Sequence, residues 1–280
     1  MKKLTYPQID NMNLWDRIVS RKRSPTKEKL LSIRYKIEER YIFYSEHFDS
    51  LDKILPLAKE EWVNVKDELI KCYGKNKGLD EAKKQIFDSL VASGQTKCPY
   101  CMLSRSNTLE HYFNKDDYPE FSVYIPNLIP CCSECNSIKG NAVFDSSSYR
   151  KYIHFYHDLI PKEQFLFVRF SFSDESDSIP LVNIELKFSE NNYYSNLIIR
   201  HFENLSLISK YQDTILERLA PVIEEIKMNK RAGISIQNIE LALKNRFKAL
   251  SIYYGNNYWE TCVYDGILNS PDFLSRLYNE

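Results

Sequence analysis

Two matched pairs of cysteines constrain this chain more than any other feature of its sequence. Each pair has the spacing C-x2-C, and the four residues are Cys98, Cys101, Cys132 and Cys135. Zinc binds four thiolates tetrahedrally, so two such pairs predict a structural Zn²⁺ site. Cys131 is an alternative to Cys132, but the two-residue step of the first pair favours Cys132. Buried free thiols, which pack as small apolar groups, are the less specific interpretation.

The composition is that of an ordinary globular protein, with 43% apolar and 27% charged residues in 280. Lys plus Arg and Asp plus Glu each number 38, so a nucleic-acid surface would need to concentrate basic residues locally. No apolar stretch reaches the ~18–20 residues of a membrane span, and the N-terminus has no signal-peptide run. We therefore expect a cytoplasmic protein without membrane contact, whose reduced thiols favour metal over disulfides.

Hydrophobic periodicity predicts an α+β fold in three regions. Residues 1–94 show helical spacing, with candidate helices over residues 30–44, 51–73 and 79–91. Residues 95–146 are rich in Cys, Asn, Pro and Ser, as is typical of a small module organised by metal. The sequence therefore predicts a helical N-terminal region followed by a metal-organised module.

The third predicted region, residues 147–280, begins with strands and ends with helices. Two candidate strands, Phe165–Phe172 and Leu181–Ser189, flank an acidic turn at residues 173–180 and predict a β-hairpin. In the second strand, apolar and polar residues alternate, which indicates one buried face. Helical spacing follows over residues 198–228, 236–252 and 258–278.

A set of polar residues lies between and just after the cysteine pairs. Its segments are Glu110–His111, Lys115 with Tyr118–Ser122, Asn127–Pro130, and Cys135–Asn136 followed by Lys139–Gly140. Over residues 95–144 the sequence resembles the HNH endonuclease family, in the subgroup whose motif is stapled by four cysteines. The resemblance implies a ββα-metal (His-Me finger) module, embedded here between helical N- and C-terminal regions.

Hydrolysis of a phosphodiester needs a base that activates water and a cation that compensates the developing charge. His111 suits the role of base, because an imidazole can be neutral near pH 7. The resemblance implies that role for His111, and it implies that Glu110 and Asn136 hold the catalytic cation. Both are oxygen donors, which suit Mg²⁺ or Mn²⁺ better than zinc. Asn127 is implied to bond to backbone and thereby to orient the histidine.

Two positions depart from the commonest pattern of the family. Glu110 stands where aspartate is usual, and its side chain is one methylene longer. Asn136 stands where histidine is usual, a variation that favours hard cations. Neither departure removes a required function, but the glutamate changes the geometry expected of the ligand.

These residues together predict a metal-dependent endonuclease that acts on DNA, with RNA left open. A zinc-stapled nucleic-acid-binding module without catalysis is the alternative, because four cysteines alone permit it. Stand-alone HNH proteins of this size resemble nucleases of bacterial anti-phage defence, including the Septu-type nuclease, which implies an ATPase partner. Homing, restriction and phage-packaging enzymes share the module, and likeness of fold cannot choose among them.

Two further groups of residues invite a functional interpretation. Basic side chains that could contact phosphates are Arg17, Arg21, Lys22 and Arg23 near the N-terminus and Lys115 in the module. A solvated helix face is the alternative for the N-terminal cluster. His154 and His157 with Asp158 form a second, weaker metal candidate, and the remaining histidines are interpreted as structural.

Overall fold

The structure is a computed structural model that describes residues 2–172 and 180–279. Residue contacts divide the chain into two compact units, Lys3–Leu159 and Ile160–Glu280, the second including Met1–Lys2. The division into three regions that the sequence suggests stays a prediction. The acidic turn expected at residues 173–180 lies, except for Pro180, outside the described residues.

The first unit opens with helices, as the periodicity predicts. They are α1 (Asn11–Ser20), α2 (Thr26–Ser32), α3 (Arg34–Glu46), α4 (Lys66–Ile70) and α5 (Lys77–Ala92). Asp10 caps α1 by accepting a hydrogen bond from the amide of Asn13 at 2.9 Å, and Asn76 caps α5 in the same way. The capped helices bury one apolar face each, and α1 packs against α5.

The prediction of one continuous helix over residues 51–73 is wrong. This stretch consists of short 3₁₀ turns around α4, at Phe48–Lys53, Lys59–Glu61 and Lys71–Tyr73. Pro56 lacks an amide hydrogen and disfavours helical backbone at the residue before it, which works against a continuous helix through this stretch. The apolar positions of the stretch, such as Leu51 and Trp62, are nevertheless buried. The pattern therefore indicated burial correctly but not helical continuity.

Two short strands and a helix follow the first cysteine pair. Strands β1 (Thr108–His111) and β2 (Leu128–Cys131) pair antiparallel, with His111 opposite Leu128. Helix α6 (Ser133–Lys139) begins directly after β2 and packs against β1. Cys132 is its N-cap, and the Cys132 sulfur accepts a hydrogen bond from the Cys135 amide at 3.4 Å. Helix α6 thus starts at the second cysteine pair.

The second unit contains the predicted hairpin strands. Strands β3 (Leu166–Ser171) and β4 (Leu181–Leu186) pair antiparallel, with Val168 opposite Ile184, so the predicted pairing is confirmed. The helices are α7 (Tyr193–Asn204), α8 (Leu207–Arg231), α9 (Ile236–Tyr254), α10 (Trp259–Leu268) and α11 (Pro271–Asn279). The described residues form a mixed α+β fold with two small antiparallel sheets, which confirms the predicted α+β class.

Two of the helices predicted for the second unit are each divided in two. The predicted helix at 198–228 breaks between α7 and α8, where Ser206 has a left-handed backbone with φ of 52°. The predicted helix at 258–278 breaks between Leu268 and Pro271, and Pro271 takes the first position of α11, where its missing amide hydrogen costs no helical hydrogen bond. Across residues 2–172 and 180–279, no helix is both long and apolar enough to cross a bilayer.

Candidate functional site

Four cysteine sulfurs converge in the first unit. The ligand atoms of Cys98, Cys101, Cys132 and Cys135 all lie within 4.8 Å of one another, and all four residues are buried. The Sγ atoms of Cys101 and Cys132 are 3.9 Å apart. A buried set of four thiols at this separation fits the tetrahedral coordination of a zinc ion. The cysteines could therefore hold a metal ion such as zinc.

Cys131 does not belong to this group. Its side chain is buried, and burial raises the pKa of the Cys131 thiol. The next residue, Cys132, supplies the sulfur that faces Cys101, as the spacing of the pairs predicts. Successive side chains of an extended strand point to opposite faces, so only one of the two can face the other pair. The group therefore consists of the four sulfurs of the two C-x2-C pairs, with Cys132 and not Cys131 in the second pair.

His111 lies at the end of β1 with a fixed ring. Its Nε2 is 2.9 Å from the carbonyl oxygen of Ser122. A carbonyl oxygen can only accept a hydrogen bond, so Nε2 carries the proton and Nδ1 keeps its lone pair. The ring also meets Tyr73 edge to face, with 4.3 Å between centroids. This tautomer leaves one nitrogen able to accept a proton.

The surroundings of His111 keep its ring neutral. Burial lowers the pKa of His111 to about 4, and the positive charges of Lys115, Lys139 and Lys83 act in the same direction. A group with this pKa is unprotonated at pH 7 and available as a base. Lys139 is paired with Glu110, so Lys83 and Lys115 supply the net positive charge near the neutral histidine.

Asn127 holds together the backbone that flanks β1 and β2. Its side chain is fully buried. The Oδ1 atom accepts from the amide of Phe113 at 2.8 Å, and Nδ2 donates to the carbonyl oxygens of Phe113 at 3.0 Å and Phe121 at 3.3 Å. Ser122, whose carbonyl binds His111, directly follows Phe121. The amide thus ties the residues after His111 to the segment that orients its ring.

Glu110 and Asn136 lie where α6 meets β1. Glu110 Oε1 accepts from Lys139 Nζ at 2.5 Å, and both side chains are buried. Lys139 also donates to the carbonyl oxygen of His111 at 3.1 Å, and Asn136 Nδ2 is 3.3 Å from Thr108 Oγ1. Burial raises the pKa of Glu110 and lowers that of Lys139, while the attraction within the pair opposes both shifts. These contacts fasten the helix to the strand.

The donor types of Glu110 and Asn136 fit a hard divalent cation, because both offer oxygen. One carboxylate oxygen of Glu110 is bound to Lys139, which leaves the second oxygen for a metal ion. The negative charge of the carboxylate is therefore shared with an ammonium group. The sequence marked Lys139 only as part of the motif and did not indicate this ion pair.

Tyr73 and Lys83 belong to the surroundings of His111, although the sequence did not point to either. Tyr73 ends a 3₁₀ turn and Lys83 is in α5, both within the region predicted as helical flank. Lys83 Nζ is 3.8 Å from the centroid of the Tyr73 ring, and Lys115 Nζ is 5.8 Å from it. No local pattern could reveal this proximity, because the residues come from separate segments.

The N-terminal basic cluster is mostly surface. Arg17 pairs with Glu81, and Lys22 donates to the carbonyl oxygen of Lys71 at 3.1 Å. Arg21 and Arg23 are exposed. Their contact with nucleic acid stays a prediction.

The second metal site suggested for His154, His157 and Asp158 is not formed. Both Asp158 oxygens accept from Arg150, at 2.7 and 3.0 Å, and His154 Nε2 lies 3.0 Å from the hydroxyl of Tyr44. Within the described ranges, the four cysteines are the only group of three or more Cys, His or acidic residues placed to hold a metal. These side chains form a buried polar network instead.

The chain is similar to two characterised proteins. Protein ea31 of Escherichia phage lambda is 24% identical over 222 residues, which are 75% of this chain and 74% of the phage protein. Septu protein PtuB of Bacillus thuringiensis is 30% identical over 90 residues, which are 30% of this chain and 35% of that protein. No protein-family model matches the chain, and no solved structure matches it significantly. The similarity to PtuB is thus weak and confined to a short stretch.

Proposed function

We propose that this chain is an HNH-type endonuclease that uses a divalent metal to hydrolyse phosphodiester bonds of DNA. The observation that carries the proposal is the state of His111: neutral, fixed through Nε2, and surrounded by three lysines. A neutral imidazole suits a base, and a positive surrounding suits a phosphate. The order of β1, β2 and α6 beside four converging cysteines supports the same function.

In this function each residue has a task that its contacts allow. His111 Nδ1 accepts the proton of the attacking water, while Ser122 holds the ring through Nε2. Asn127 keeps the backbone on both sides of the histidine in place. Glu110 and Asn136 would hold Mg²⁺ or Mn²⁺, which supplies positive charge for the phosphate and the leaving oxygen. Zn²⁺ at the four cysteines would have a structural role only.

We further propose that the nuclease acts in bacterial anti-phage defence. The similarity to the Septu protein PtuB supports this setting, although it covers only 35% of that protein. The similarity to a phage protein covers more of the chain and does not distinguish between settings. An ATPase encoded beside this gene, and copurifying with the chain, is the partner that the proposal expects.

A non-catalytic zinc-stapled binding module is the second candidate, and the Glu110–Lys139 pair is the observation that favours it. An ammonium group already neutralises the carboxylate that a catalytic metal would need. In that function the lysines would bind nucleic acid and His111 would have no chemical task. The two candidates differ in whether the chain cuts DNA.

A plasmid-nicking assay with Mg²⁺ or Mn²⁺ tests the proposed function. The wild-type protein should nick supercoiled DNA, and His111→Ala should be slower by roughly 10²–10⁴-fold, the usual contribution of a general base. His47→Ala is a matched control, since His47 lies at the end of α3 with its Nδ1 2.8 Å from the Phe43 carbonyl oxygen. Equal cutting by wild type and His111→Ala would rule the proposal out, as would no cutting by either with every candidate partner added.

A further inference from the structure

The Tyr73 ring and the side chains of Lys83 and Lys115 form a small cationic surface beside His111. Tyr73 meets the His111 ring on one side, with 4.3 Å between centroids, and its hydroxyl lies 3.5 Å from the Leu109 carbonyl oxygen of β1. Lys83 Nζ is 3.8 Å from the centroid of the same tyrosine ring and Lys115 Nζ is 5.8 Å from it. The Tyr73 ring thus contacts His111 and lies near both ammonium groups, whose charges act on the histidine.

Neither lysine forms an ion pair with a carboxylate in the described part of the chain, although Asp80 in the first turn of α5 is near enough for its negative charge to act on Lys83. Among the residues that the structure describes, neither Lys83 nor Lys115 takes part in an ion pair. Lys83 donates only to the carbonyl oxygen of Tyr73, at 3.4 Å. Burial lowers the pKa of Lys83, the negative charge of Asp80 opposes this shift, and the positive charge of Lys115 adds to it. Two neighbouring, half-buried cations repel each other, and an anion placed between them would relieve that repulsion.

The two acidic residues that follow Lys115 are bonded elsewhere. Asp116 accepts from Asn141 Nδ2 at 2.8 Å, and Asp117 accepts from Asn114 Nδ2 at 2.8 Å. These bonds tie the carboxylates to polar partners in their own loop. Neither aspartate forms an ion pair with Lys115 within the described residues, although the sequence places both next to it.

We propose that Lys83 and Lys115, arranged on the Tyr73 ring, form a binding site for a backbone phosphate of the nucleic-acid substrate. This inference rests on the proposed function and adds the residues that bring the substrate to His111. A phosphate fits better than a carboxylate ligand, because its several oxygens can bind two ammonium groups from separate segments at once. Such contacts are independent of base sequence.

The site also explains how a chain of zero net charge could bind DNA. Positive charge is concentrated near the histidine by Lys83 of α5 and by Lys115 in the loop after β1. Because Lys83 and Tyr73 belong to the segment before the cysteine module, that segment would form part of the substrate site.

The test is equilibrium binding of a short fluorescein-labelled DNA duplex, measured by fluorescence anisotropy at several salt concentrations. All proteins carry His111→Ala, so that no substrate is cut. Adding Lys83→Met and Lys115→Met together should weaken binding by about tenfold or more and lower the slope of log K against log salt by roughly 1–2. Lys84→Met is the matched control, because Lys84 neighbours Lys83 but is exposed and pairs with Asp88.

Each outcome has a defined meaning. Binding and salt slope equal to those of the Lys84→Met control would overturn the inference, while nicking by the wild-type chain would leave the proposed function standing. Failure of the wild-type chain to bind or nick any nucleic acid would overturn both. If the double methionine variant unfolds at a lower temperature than the Lys84→Met control or loses zinc, Lys83→Arg with Lys115→Arg replaces it as the test. The arginine protein keeps the charges, and loss of its binding at unchanged zinc content would also overturn the inference.

Discussion

At the residue scale, the contact between Glu110 and Lys139 has the largest consequence for the stability of the site. The Lys139 side chain is fully buried and that of Glu110 is 6% exposed. Ions removed from water in this way are tolerated only when they are well paired. The pair joins the last residue of α6 to β1, next to the histidine. The local sequence shows both residues but not their contact, which depends on how α6 lies on the strand.

Replacing one partner of this pair should be costly. Lys139→Met leaves the Glu110 carboxylate buried without a cation, so we expect a loss of about 3–5 kcal/mol in the free energy of unfolding. Urea unfolding followed by circular dichroism measures it. The double variant Glu110→Gln with Lys139→Met removes both charges and should recover most of the loss. Equal losses in the single and double variants would show that the pair does not hold the helix in place.

Buried histidines should make the protein sensitive to acid. Burial lowers the pKa of His157 to about 3 and that of His154 well below 6.5, and the His157 ring stacks on Phe48 at 3.5 Å. The unfolded chain binds protons at these groups more readily than the folded one does. Stability should therefore fall as the pH drops below 6.5, the unperturbed value for His157, and continue falling towards 3.

His157→Phe tests this pH dependence. The variant keeps a ring against Phe48 but has no group to protonate, so its melting temperature should fall less than that of the wild type between pH 6.5 and 4. Thermal unfolding at a series of pH values provides the measurement, and His47→Phe serves as the control. Parallel curves for His157→Phe and the wild type would contradict the expectation.

At the element scale, the two cysteine pairs lie next to β1, β2 and α6 and connect them. The second pair directly follows β2 and begins α6, so a metal ion at the sulfurs would set the position of the helix relative to the strands. Spacing along the chain was sufficient to predict the group of four cysteines, because the local backbone holds the two cysteines of each C-x2-C pair close together. The failure over residues 51–73 has the opposite cause, since tertiary packing buries those apolar residues without a regular helix.

Replacing Cys132 and replacing its neighbour Cys131 should have different effects on the bound metal. Cys132→Ser removes one of four metal ligands, so we expect bound zinc to fall from one per chain to substoichiometric levels and the protein to lose stability. Cys131→Ser changes a buried thiol outside the group and should retain zinc. Elemental analysis of the purified proteins measures the metal. Loss of zinc from the Cys131 variant alone would mean that the sulfurs are assigned wrongly.

Helix α10 packs across β3 so closely that Gly266 has no space for a side chain. An added Cβ would lie 2.5 Å from the carbonyl oxygen of Val168 and 3.0 Å from a ring carbon of Phe170. Because the nearest atom is backbone, Gly266→Ala should separate the helix from the sheet and cost about 1–3 kcal/mol. Chemical denaturation tests this, with the exposed Gln237→Ala in α9 as control. A variant as stable as the control would contradict the close packing.

At the scale of the whole molecule, the cysteines and His111 lie within one compact unit and the β3–β4 hairpin within the other. The N-terminal helices belong to the unit of the cysteine module, as expected for a module too small to bury a core alone. Stability need not be uniform across such a chain, because compact units can open separately.

Removal of zinc should therefore act on one unit first. After treatment with a zinc chelator, we expect the backbone amides of residues 98–139 to lose protection against hydrogen exchange, since a metal ion at the four cysteines would couple metal binding to folding there. Amides of α9 and α10 should keep their protection. Hydrogen exchange followed by mass spectrometry reports both regions in one sample. Equal loss throughout the chain would show that the units unfold together.

The features that could be read from the sequence are those encoded by neighbouring residues. The cysteine spacing, the two strands of the hairpin and most of the helical segments depend on local backbone geometry, and the structure contains each of them. The environment of His111 is different, because Tyr73, Lys83 and Lys139 reach it from three separate elements. Local patterns do not specify which distant segments pack together. Only the tertiary structure could therefore bury the histidine, bring these side chains to it and lower its pKa.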